Sequence, residues 1–267
     1  MAGLELGPAS APLRAIFSHA NGFNARTYLS ILAPVATQSR ILALDLRGHG
    51  ATTLPTLTEG RTSWADIAAD LLAVMELVDA RDVILSGHSM GATTSLLAAA
   101  QAPARVRALV LFEPVILPRG VSEIPPEAPL PLGALRRKAV FPHRAAALAA
   151  YRGRGPFAAW TEAMLGDYVR AGFRDRPDGQ VELACAPAWE YSNYRCHGHD
   201  GRAALKDFPG IVRILKAEHE STCSLTDAEV QSLGRGRIRM ETAPATTHFL
   251  PMERPELVAG ALRAAGV

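Results

Sequence analysis

The feature that most constrains the fold is a short apolar run that leads through a glycine-flanked serine into an alanine-rich segment. Residues 83–92 read VILSGHSMGA and place Ser89 inside a Gly-x-Ser-x-Gly pentapeptide. An apolar strand, this pentapeptide and a helix form a nucleophile elbow, a sharp turn that exposes the serine hydroxyl. Glycines let the strand and helix pass closely, while the serine takes a strained backbone conformation. A simple turn at Ser89 is the alternative interpretation.

A second residue of this chemistry lies near the C terminus. A serine hydroxyl is a weak nucleophile near neutral pH, so a reactive Ser89 requires a histidine that accepts its proton and an acid that orients the histidine. His248 follows a predicted strand at 237–242 and precedes a final apolar helix. A histidine on such a loop is placed as a catalytic base, and a loop histidine bonded to backbone is the alternative.

Predicted strands and helices alternate along the chain. Strand-like runs occur at 14–17, 40–45, 83–88, 106–112 and 211–216. Apolar residues recur at helical spacing over 64–78, before the strand that leads to the elbow. This alternation predicts an α/β fold with a mostly parallel sheet and helices on both faces. Since little chain precedes 14–17, we expect at most a short edge strand near Leu4 to Leu6.

Four motifs follow one another over nearly the whole chain. They are SHANGF at 18–23, DLRGHG at 45–50, GHSMG at 87–91 and HFLPMERP at 248–255. Together they resemble the α/β-hydrolase superfamily, in its capped serine hydrolase and esterase branch. The resemblance implies a core formed by 1–113 and 211–267, with a helical cap, 114–210, inserted after the strand ending at Phe112.

Three glutamates are candidates for the acid that orients His248. By resemblance the acid follows the strand after the cap, where Glu220 stands in the turn AEHE in place of the usual aspartate. Some members of the superfamily, including certain haloalkane dehalogenases and lactone hydrolases, place it where Glu113 ends the strand 106–112. Both positions lie at carboxyl ends of adjacent parallel strands, so either carboxylate can reach the histidine. Glu218 is the third candidate.

Acyl transfer also requires donors for the developing oxyanion, typically two backbone amides. The elbow supplies the amide of Met90, and by resemblance the amide of Phe23 is the second donor. Two residues separate His19 from Gly22, unlike the common form of this motif, so Asn21 is the alternative donor. His19 and Asn21 are also candidates for substrate contact.

The stretch between the predicted strands at 106–112 and 211–216 has a helical pattern. Five apolar residues fall on one face of a predicted helix: Phe157, Trp160, Met164, Leu165 and Tyr168. By resemblance this insertion covers the serine. Trp160 and Tyr168 are therefore candidate substrate-binding residues, and Trp189, Tyr191 and Tyr194 are further candidates for the pocket wall. Packing within the cap core is the other interpretation of each aromatic residue.

Composition limits the class of partner and compartment. The net charge of +2 is too small to favour nucleic acid. Met1 to Ser10 lack the features of a secretory signal, and no apolar run approaches the length of a membrane span. Three cysteines without regular metal spacing fit a reducing compartment. We expect a cytoplasmic protein with a small-molecule substrate, without nucleic-acid or membrane partners. The segment CHGHD at 196–200 reads as an exposed loop, and we expect no metal.

The resemblance and these residues predict a serine hydrolase that cleaves a carboxylic ester or lactone through an acyl-enzyme on Ser89, with His248 as general base and no cofactor. A serine at the elbow argues against epoxide hydrolases and dehalogenases, which use aspartate there. The same triad serves carbon–carbon bond hydrolysis, thioester cleavage or perhydrolysis in related folds, and motifs leave the substrate open. A small-molecule-binding protein on this scaffold is the non-enzymatic alternative.

Overall fold

The computed structural model describes residues 1–267 and contains ten strands. They are β1 (Ala2–Leu6), β2 (Leu13–Ser18), β3 (Arg40–Asp45), β4 (Val83–His88), β5 (Val106–Phe112), β6 (Val140–Phe141), β7 (Phe173–Asp175), β8 (Val181–Leu183), β9 (Ile211–Ala217) and β10 (Ile238–Ala243). Seven form one sheet in the order β1-β3-β2-β4-β5-β9-β10. All neighbours in this sheet pair in parallel except β1, which runs antiparallel to β3.

Eleven α-helices cover the sheet and its carboxyl edge. They are α1 (Leu29–Leu32), α2 (Ala65–Leu77), α3 (Met90–Gln101), α4 (Pro129–Leu135), α5 (Arg144–Tyr151), α6 (Glu162–Gly172), α7 (Pro187–Arg195), α8 (Gly201–Asp207), α9 (Asp227–Gly234), α10 (Leu250–Glu253) and α11 (Pro255–Ala265). The predicted α/β architecture is confirmed. None of these helices combines the length and the hydropathy needed to cross a membrane.

The core lies on both faces of the sheet. Every residue of β4 is buried, as expected for a central parallel strand covered on two sides, and this burial explains its continuous apolar run. Successive residues point to opposite faces. Ile84 accordingly packs in one hydrophobic cluster with Val110, and Leu85 packs in the other with Leu109.

The edge strand β1 has the position that the sequence predicts. It pairs Ala2 with Asp45 and Leu6 with Ile41. Leu4 and Leu6 pack against the core beneath the sheet. A single short strand therefore stands where the fold commonly opens with a hairpin.

The segment between β5 and β9 differs from the purely helical expectation. It contains α4 to α8 and also a three-stranded antiparallel sheet in the order β6-β8-β7. These strands have two or three residues, too few for an alternating pattern to stand out. The predicted helix is also shorter, because Thr161 accepts a hydrogen bond from the Met164 amide and caps α6, which leaves Phe157 and Trp160 before it.

Candidate active site

Strand β4 delivers Ser89 into a sharp turn that ends at the first residue of α3. Ser89 has φ 55° and ψ −120°, a conformation that costs about 1–3 kcal/mol. A Cβ added to Gly91 would lie 2.1 Å from the carbonyl oxygen of Ser18, and one added to Gly87 would lie 2.6 Å from the same oxygen. The end of β2 therefore passes so close to the elbow that only glycines fit on either side of the serine.

The hydroxyl of Ser89, the imidazole of His248 and the carboxylate of Glu113 form a continuous hydrogen-bonded relay. Oγ of Ser89 lies 2.9 Å from Nε2 of His248, and Nδ1 of His248 lies 3.0 Å from Oε2 of Glu113. An ionised carboxylate only accepts, so Nδ1 donates its proton and Nε2 is left to accept from the serine. This tautomer is the one that a general base acting on Ser89 requires.

Glu113 is fully buried in the turn after β5, where its φ is 49°. The amides of Ala217 and Thr222 and the hydroxyl of Ser221 donate to its carboxylate. Burial raises the pKa of Glu113, but the hydrogen bond and charge of His248, together with the Ala217 and Ser221 donors, outweigh burial and hold this pKa below its ordinary value. The carboxylate is therefore ionised at neutral pH.

The other two candidate acids lie on the turn after β9 and do not reach the imidazole. Glu220 is exposed and its side chain makes no hydrogen bond, whereas Glu218 accepts from the amide of Ala245 at 2.8 Å. The position implied by the resemblance is thus corrected to Glu113. The turn after β9 has a different role, because the two residues after Glu220 donate hydrogen bonds to the buried carboxylate of Glu113.

The two amides expected at the oxyanion position differ in availability. Met90 begins α3, where first-turn amides have no acceptor within the helix and the helix dipole favours negative charge. The amide of Phe23 instead donates to the carbonyl of Ala20 at 3.1 Å and closes a turn. The Asn21 amide has no partner within the chain, and Asn21 lines the cavity in front of Ser89. The expectation for Phe23 is therefore corrected in favour of the Asn21 amide.

Two buried residues that the sequence did not reveal support the loop carrying His248. His88 has Nε2 2.8 Å from the carbonyl oxygen of His248 and Nδ1 2.7 Å from Oη of Tyr28. Burial, and then the neighbouring His248, lower the pKa of His88 well below its ordinary value, so His88 is neutral. Since a carbonyl only accepts, Nε2 carries the proton and Tyr28 donates to Nδ1. The elbow motif contains His88, but its partners are visible only in the fold.

A cavity of about 210 Å³ lies in front of Ser89. It is lined by Ala20, Asn21, Phe23, Trp64, His88, Ser89, Met90, Val115, Leu117, Ile124, Leu130, Tyr194, His197, Thr222, His248 and Phe249. Most of these side chains are apolar, and arginine and lysine are absent from the lining. The segment after β5 contributes six of these residues, so it forms the outer wall of the cavity.

Trp160 and Tyr168 do not line this cavity. Their rings pack against Phe23, with centroid distances of 5.1 Å and 5.8 Å, and both residues are buried. The hydroxyl of Tyr168 also accepts from Arg137 at 2.7 Å. The expectation of substrate contact is therefore corrected, because both aromatics form a layer behind Phe23. Of the three further aromatics, only Tyr194 reaches the cavity.

His19 is likewise structural and does not contact the cavity. Its Nδ1 lies 2.7 Å from the Ala20 carbonyl and its Nε2 accepts from the Leu46 amide at 3.0 Å. Burial lowers the pKa of His19 to about 4, so the ring is neutral and fixes the loop after β2. Asn21 lines the cavity, but both polar groups of its side chain bind residues of α7. Its amide is therefore the part available to a substrate.

The segment at 196–200 is more buried than its composition suggests. Cys196 and His197 are both buried, and Nε2 of His197 lies 3.1 Å from the carbonyl oxygen of Tyr194. Nδ1 of His197 has no hydrogen-bond partner. Burial lowers the pKa of His197, so the ring is neutral. The expectation of an exposed loop holds for Gly198 and Asp200 but is wrong for His197, which packs against Trp64.

Curated relatives match only a part of the chain. A 2-(acetamidomethylene)succinate hydrolase from Mesorhizobium japonicum is 32% identical over 104 residues, which are 39% of this chain and 36% of that protein. The matches span between 27% and 38% of the length of the curated relatives. This local similarity therefore leaves the activity of the whole chain open.

Solved structures resemble the chain over nearly its full length. The crystal structure of E-2-(acetamidomethylene)succinate hydrolase has a TM-score of 0.77 and 22% identity, and covers 97% of this chain and 92% of that one. The enol-lactonase from Burkholderia xenovorans LB400 has a TM-score of 0.69 and 17% identity, and covers 98% of this chain and 95% of that one. At these identities the resemblance establishes the fold alone.

A family model also matches most of the chain. The model described as the alpha/beta hydrolase family covers residues 15–261, which include the elbow, the turn after β5 and the loop of His248. The matched range thus contains every member of the hydrogen-bonded relay. The chain belongs to the alpha/beta hydrolase family, which supports a hydrolase activity.

Proposed function

We propose that this protein is a serine hydrolase that cleaves a neutral carboxylic ester or lactone through an acyl-enzyme on Ser89. The observation that carries this proposal is the unbroken relay from Oγ of Ser89 through His248 to the buried carboxylate of Glu113. Nucleophile, base and orienting acid lie within hydrogen-bond distance, in the order that acyl transfer requires.

In the first half of the reaction, Nε2 of His248 accepts the proton of the Ser89 hydroxyl as Oγ attacks the carbonyl carbon. The amides of Met90 and Asn21 donate to the oxygen that becomes negative. The imidazolium is stabilised by ionised Glu113 and returns its proton to the departing alcohol oxygen as the carbon–oxygen bond breaks. For a lactone this oxygen stays attached to the acyl group.

In the second half, a water molecule takes the place of the alcohol. His248 accepts a proton from this water, whose oxygen attacks the ester carbon of the acyl-enzyme. The tetrahedral intermediate collapses, Ser89 recovers its proton and the carboxylic acid leaves. One proton passes through the imidazole in each half of the reaction, and no cofactor is required.

The cavity supports a short and uncharged acyl group. Its volume of about 210 Å³ is below the common range for ligand pockets, and its lining has no arginine or lysine to pair with a carboxylate. Thioesters and carbon–carbon bonds remain alternative targets of the same relay.

The cellular setting is part of this proposal. Cys185, Cys196 and Cys223 are all buried and unpaired, which fits the reducing conditions of the cytoplasm. The partner that we propose is a small-molecule substrate, in keeping with a cavity enclosed by the residues after β5. We place the protein in the cytoplasm on these grounds.

A matched panel of substrates tests the proposal. Nitrophenyl acetate, butyrate and dodecanoate, simple lactones and the corresponding thioesters are assayed with wild-type protein and with Ser89→Ala. We expect turnover of the short esters or lactones, weaker activity on dodecanoate, and loss of turnover in Ser89→Ala. Equal activity of the wild-type protein and Ser89→Ala, or turnover of thioesters alone, would overturn the assignment.

A further inference from the structure

The side chain of Asn21 is bound at both ends by the cap-segment helix α7. Its Nδ2 donates to the carbonyl oxygen of Glu190 at 3.0 Å, and its Oδ1 accepts from Nδ2 of Asn193 at 2.9 Å. Both asparagines are buried. The loop after β2 is therefore joined to α7 by two hydrogen bonds that start from a residue in the wall of the serine cavity.

Arg61, whose side chain is only 7% exposed, sets the direction of each of these bonds. Arg61 binds Asp66 through two nitrogens, at 2.8 Å and 2.9 Å, and donates through Nη1 to Oδ1 of Asn193. A guanidinium only donates, so the amide oxygen of Asn193 faces Arg61 and its NH₂ group faces Asn21. Asn21 in turn presents its oxygen to Asn193 and its NH₂ group to Glu190. One cation thus fixes the orientation of both amides.

Helix α7 is itself held against the core by other contacts. The indole of Trp64 donates to the carbonyl of Asn193 at 3.0 Å, and the indole of Trp189 donates to the carbonyl of Arg47 at 2.9 Å. The guanidinium of Arg61 also lies 4.1 Å from the centre of the Trp189 ring. Asn193 therefore has a fixed position that does not depend on Asn21.

We propose that Asn193, oriented by Arg61, is a positioning residue that holds Asn21 so that its backbone amide donates to the oxyanion. This inference rests on the proposed hydrolase function. The Asn21 amide has no acceptor within the chain, so only the side chain tethers the residue that carries this donor. Removal of one oxyanion donor lowers kcat by about 100- to 1,000-fold in serine hydrolases. A misplaced donor is expected to cost a part of that factor.

Two substitutions at Asn193 distinguish the loss of its hydrogen bond to Asn21 from a loss of folding. Asn193→Leu removes the donor and the acceptor, whereas Asn193→Asp keeps an acceptor for Arg61 but cannot donate to Asn21. We expect each variant to lower kcat by about 10- to 100-fold with little change in KM. Tyr191→Phe, on the same helix and without a hydroxyl hydrogen bond, is the matched control and retains wild-type kcat. Because Asn193→Asp preserves the pairing with Arg61, this variant alone tests the positioning role if Asn193→Leu does not fold.

Inhibitor affinity distinguishes a specific effect on the oxyanion donor from a general loss of order in the active site. A trifluoromethyl ketone forms a tetrahedral adduct with the hydroxyl of Ser89, and this adduct carries an oxyanion. The free carboxylic acid product forms no such adduct. We expect the Asn193 variants to bind the ketone more weakly by the same factor as the loss in kcat/KM, with the affinity for the acid unchanged. In an Asn21→Ala background, Asn193→Leu is expected to add no further loss.

The outcomes separate this inference from the proposed function. Active wild-type protein with unchanged kcat and ketone affinity in both Asn193 variants would overturn the positioning role and leave the hydrolase proposal intact. Weaker binding of ketone and acid by equal factors would also overturn it. A wild-type protein that neither turns over esters nor binds the ketone would overturn both.

Discussion

Nδ1 of His248 lies 3.0 Å from Oε2 of Glu113, although the two residues are 135 positions apart in the chain. The contact forms because β9 lies between β5 and β10 in the parallel sheet, so the turn after β5 and the loop after β10 meet at the same carboxyl edge. The turn after β9 then wraps the carboxylate with donors. Adjacent strand ends thus create a buried, ionised acid beside the imidazole.

This contact predicts a sharp difference between two conservative substitutions. Glu113→Gln preserves size but removes the charge that stabilises the imidazolium, and the amide favours the wrong tautomer of His248. We expect kcat to fall by about 10³- to 10⁴-fold, while Glu220→Gln, at an exposed position, retains nearly full activity. Steady-state kinetics on one nitrophenyl ester measures both. A larger loss in Glu220→Gln would contradict the assignment of Glu113.

The hydroxyl of Tyr28 is predicted to matter for both stability and turnover. Tyr28→Phe removes the donor to Nδ1 of His88 and the acceptor for the Ala20 amide. Both groups are buried, so we expect a loss of about 1–3 kcal/mol in the free energy of unfolding. Turnover falls as well, because His88 holds the carbonyl of His248. Urea unfolding and kcat measure the two effects. A variant that matches the wild type in both would contradict the role of Tyr28 in supporting the loop of His248.

The buried ion pair between Arg137 and Glu190 is predicted to stabilise the segment that covers the site. Nη1 of Arg137 lies 2.6 Å from Oε2 of Glu190, and their side chains are 19% and 7% exposed. Arg137→Met leaves an unpaired buried carboxylate, which costs about 3–5 kcal/mol. Arg152→Met is the control, since its partner Glu162 and Arg152 itself are mostly exposed, and it changes stability little. Equal losses in the two variants would contradict this prediction.

Buried neutral histidines predict that stability falls in mild acid. Burial lowers the pKa of His19 to about 4 and that of His49 to about 3. The unfolded chain takes up these protons below about pH 6.5, where the folded chain does not, so the free energy of unfolding decreases as the pH falls from about 6.5 to about 4. For His19 alone the decrease is roughly 3 kcal/mol.

Urea unfolding at several pH values checks this sign. We expect a lower midpoint at about pH 4.5 than at about pH 7.5, and a smaller difference in His19→Gln, which keeps a donor and an acceptor but does not titrate. A free energy of unfolding that is the same at both pH values would show that the buried rings are not neutral in the folded protein.

Local motifs made part of the site predictable. Ser89 and its helix follow from ten consecutive residues, because the elbow requires glycines where the end of β2 approaches. His248 follows from its loop before the last helices. The choice of Glu113 depends on donors from a turn more than 100 positions away, and no local pattern carries that information.

Other expectations failed for similar physical reasons. The motif at 18–23 places two amides near the elbow, but the hydrogen bond from Phe23 to Ala20 that removes one of them depends on the conformation of the turn. The spacing of Trp160 and Tyr168 predicts burial, which occurs, without specifying that Phe23 is their partner. Spacing identifies a buried face but not the surface against which it packs.

The most direct test of the central claim is covalent labelling of Ser89. Folded wild-type protein is incubated with a fluorophosphonate and its intact mass is measured beside that of Ser89→Ala and Glu113→Gln. We predict one added phosphonyl group in the wild type, none in Ser89→Ala and much slower addition in Glu113→Gln, because the relay activates the serine. An unlabelled wild type, or equal labelling of Ser89→Ala, would contradict the claim that Ser89 is the activated nucleophile.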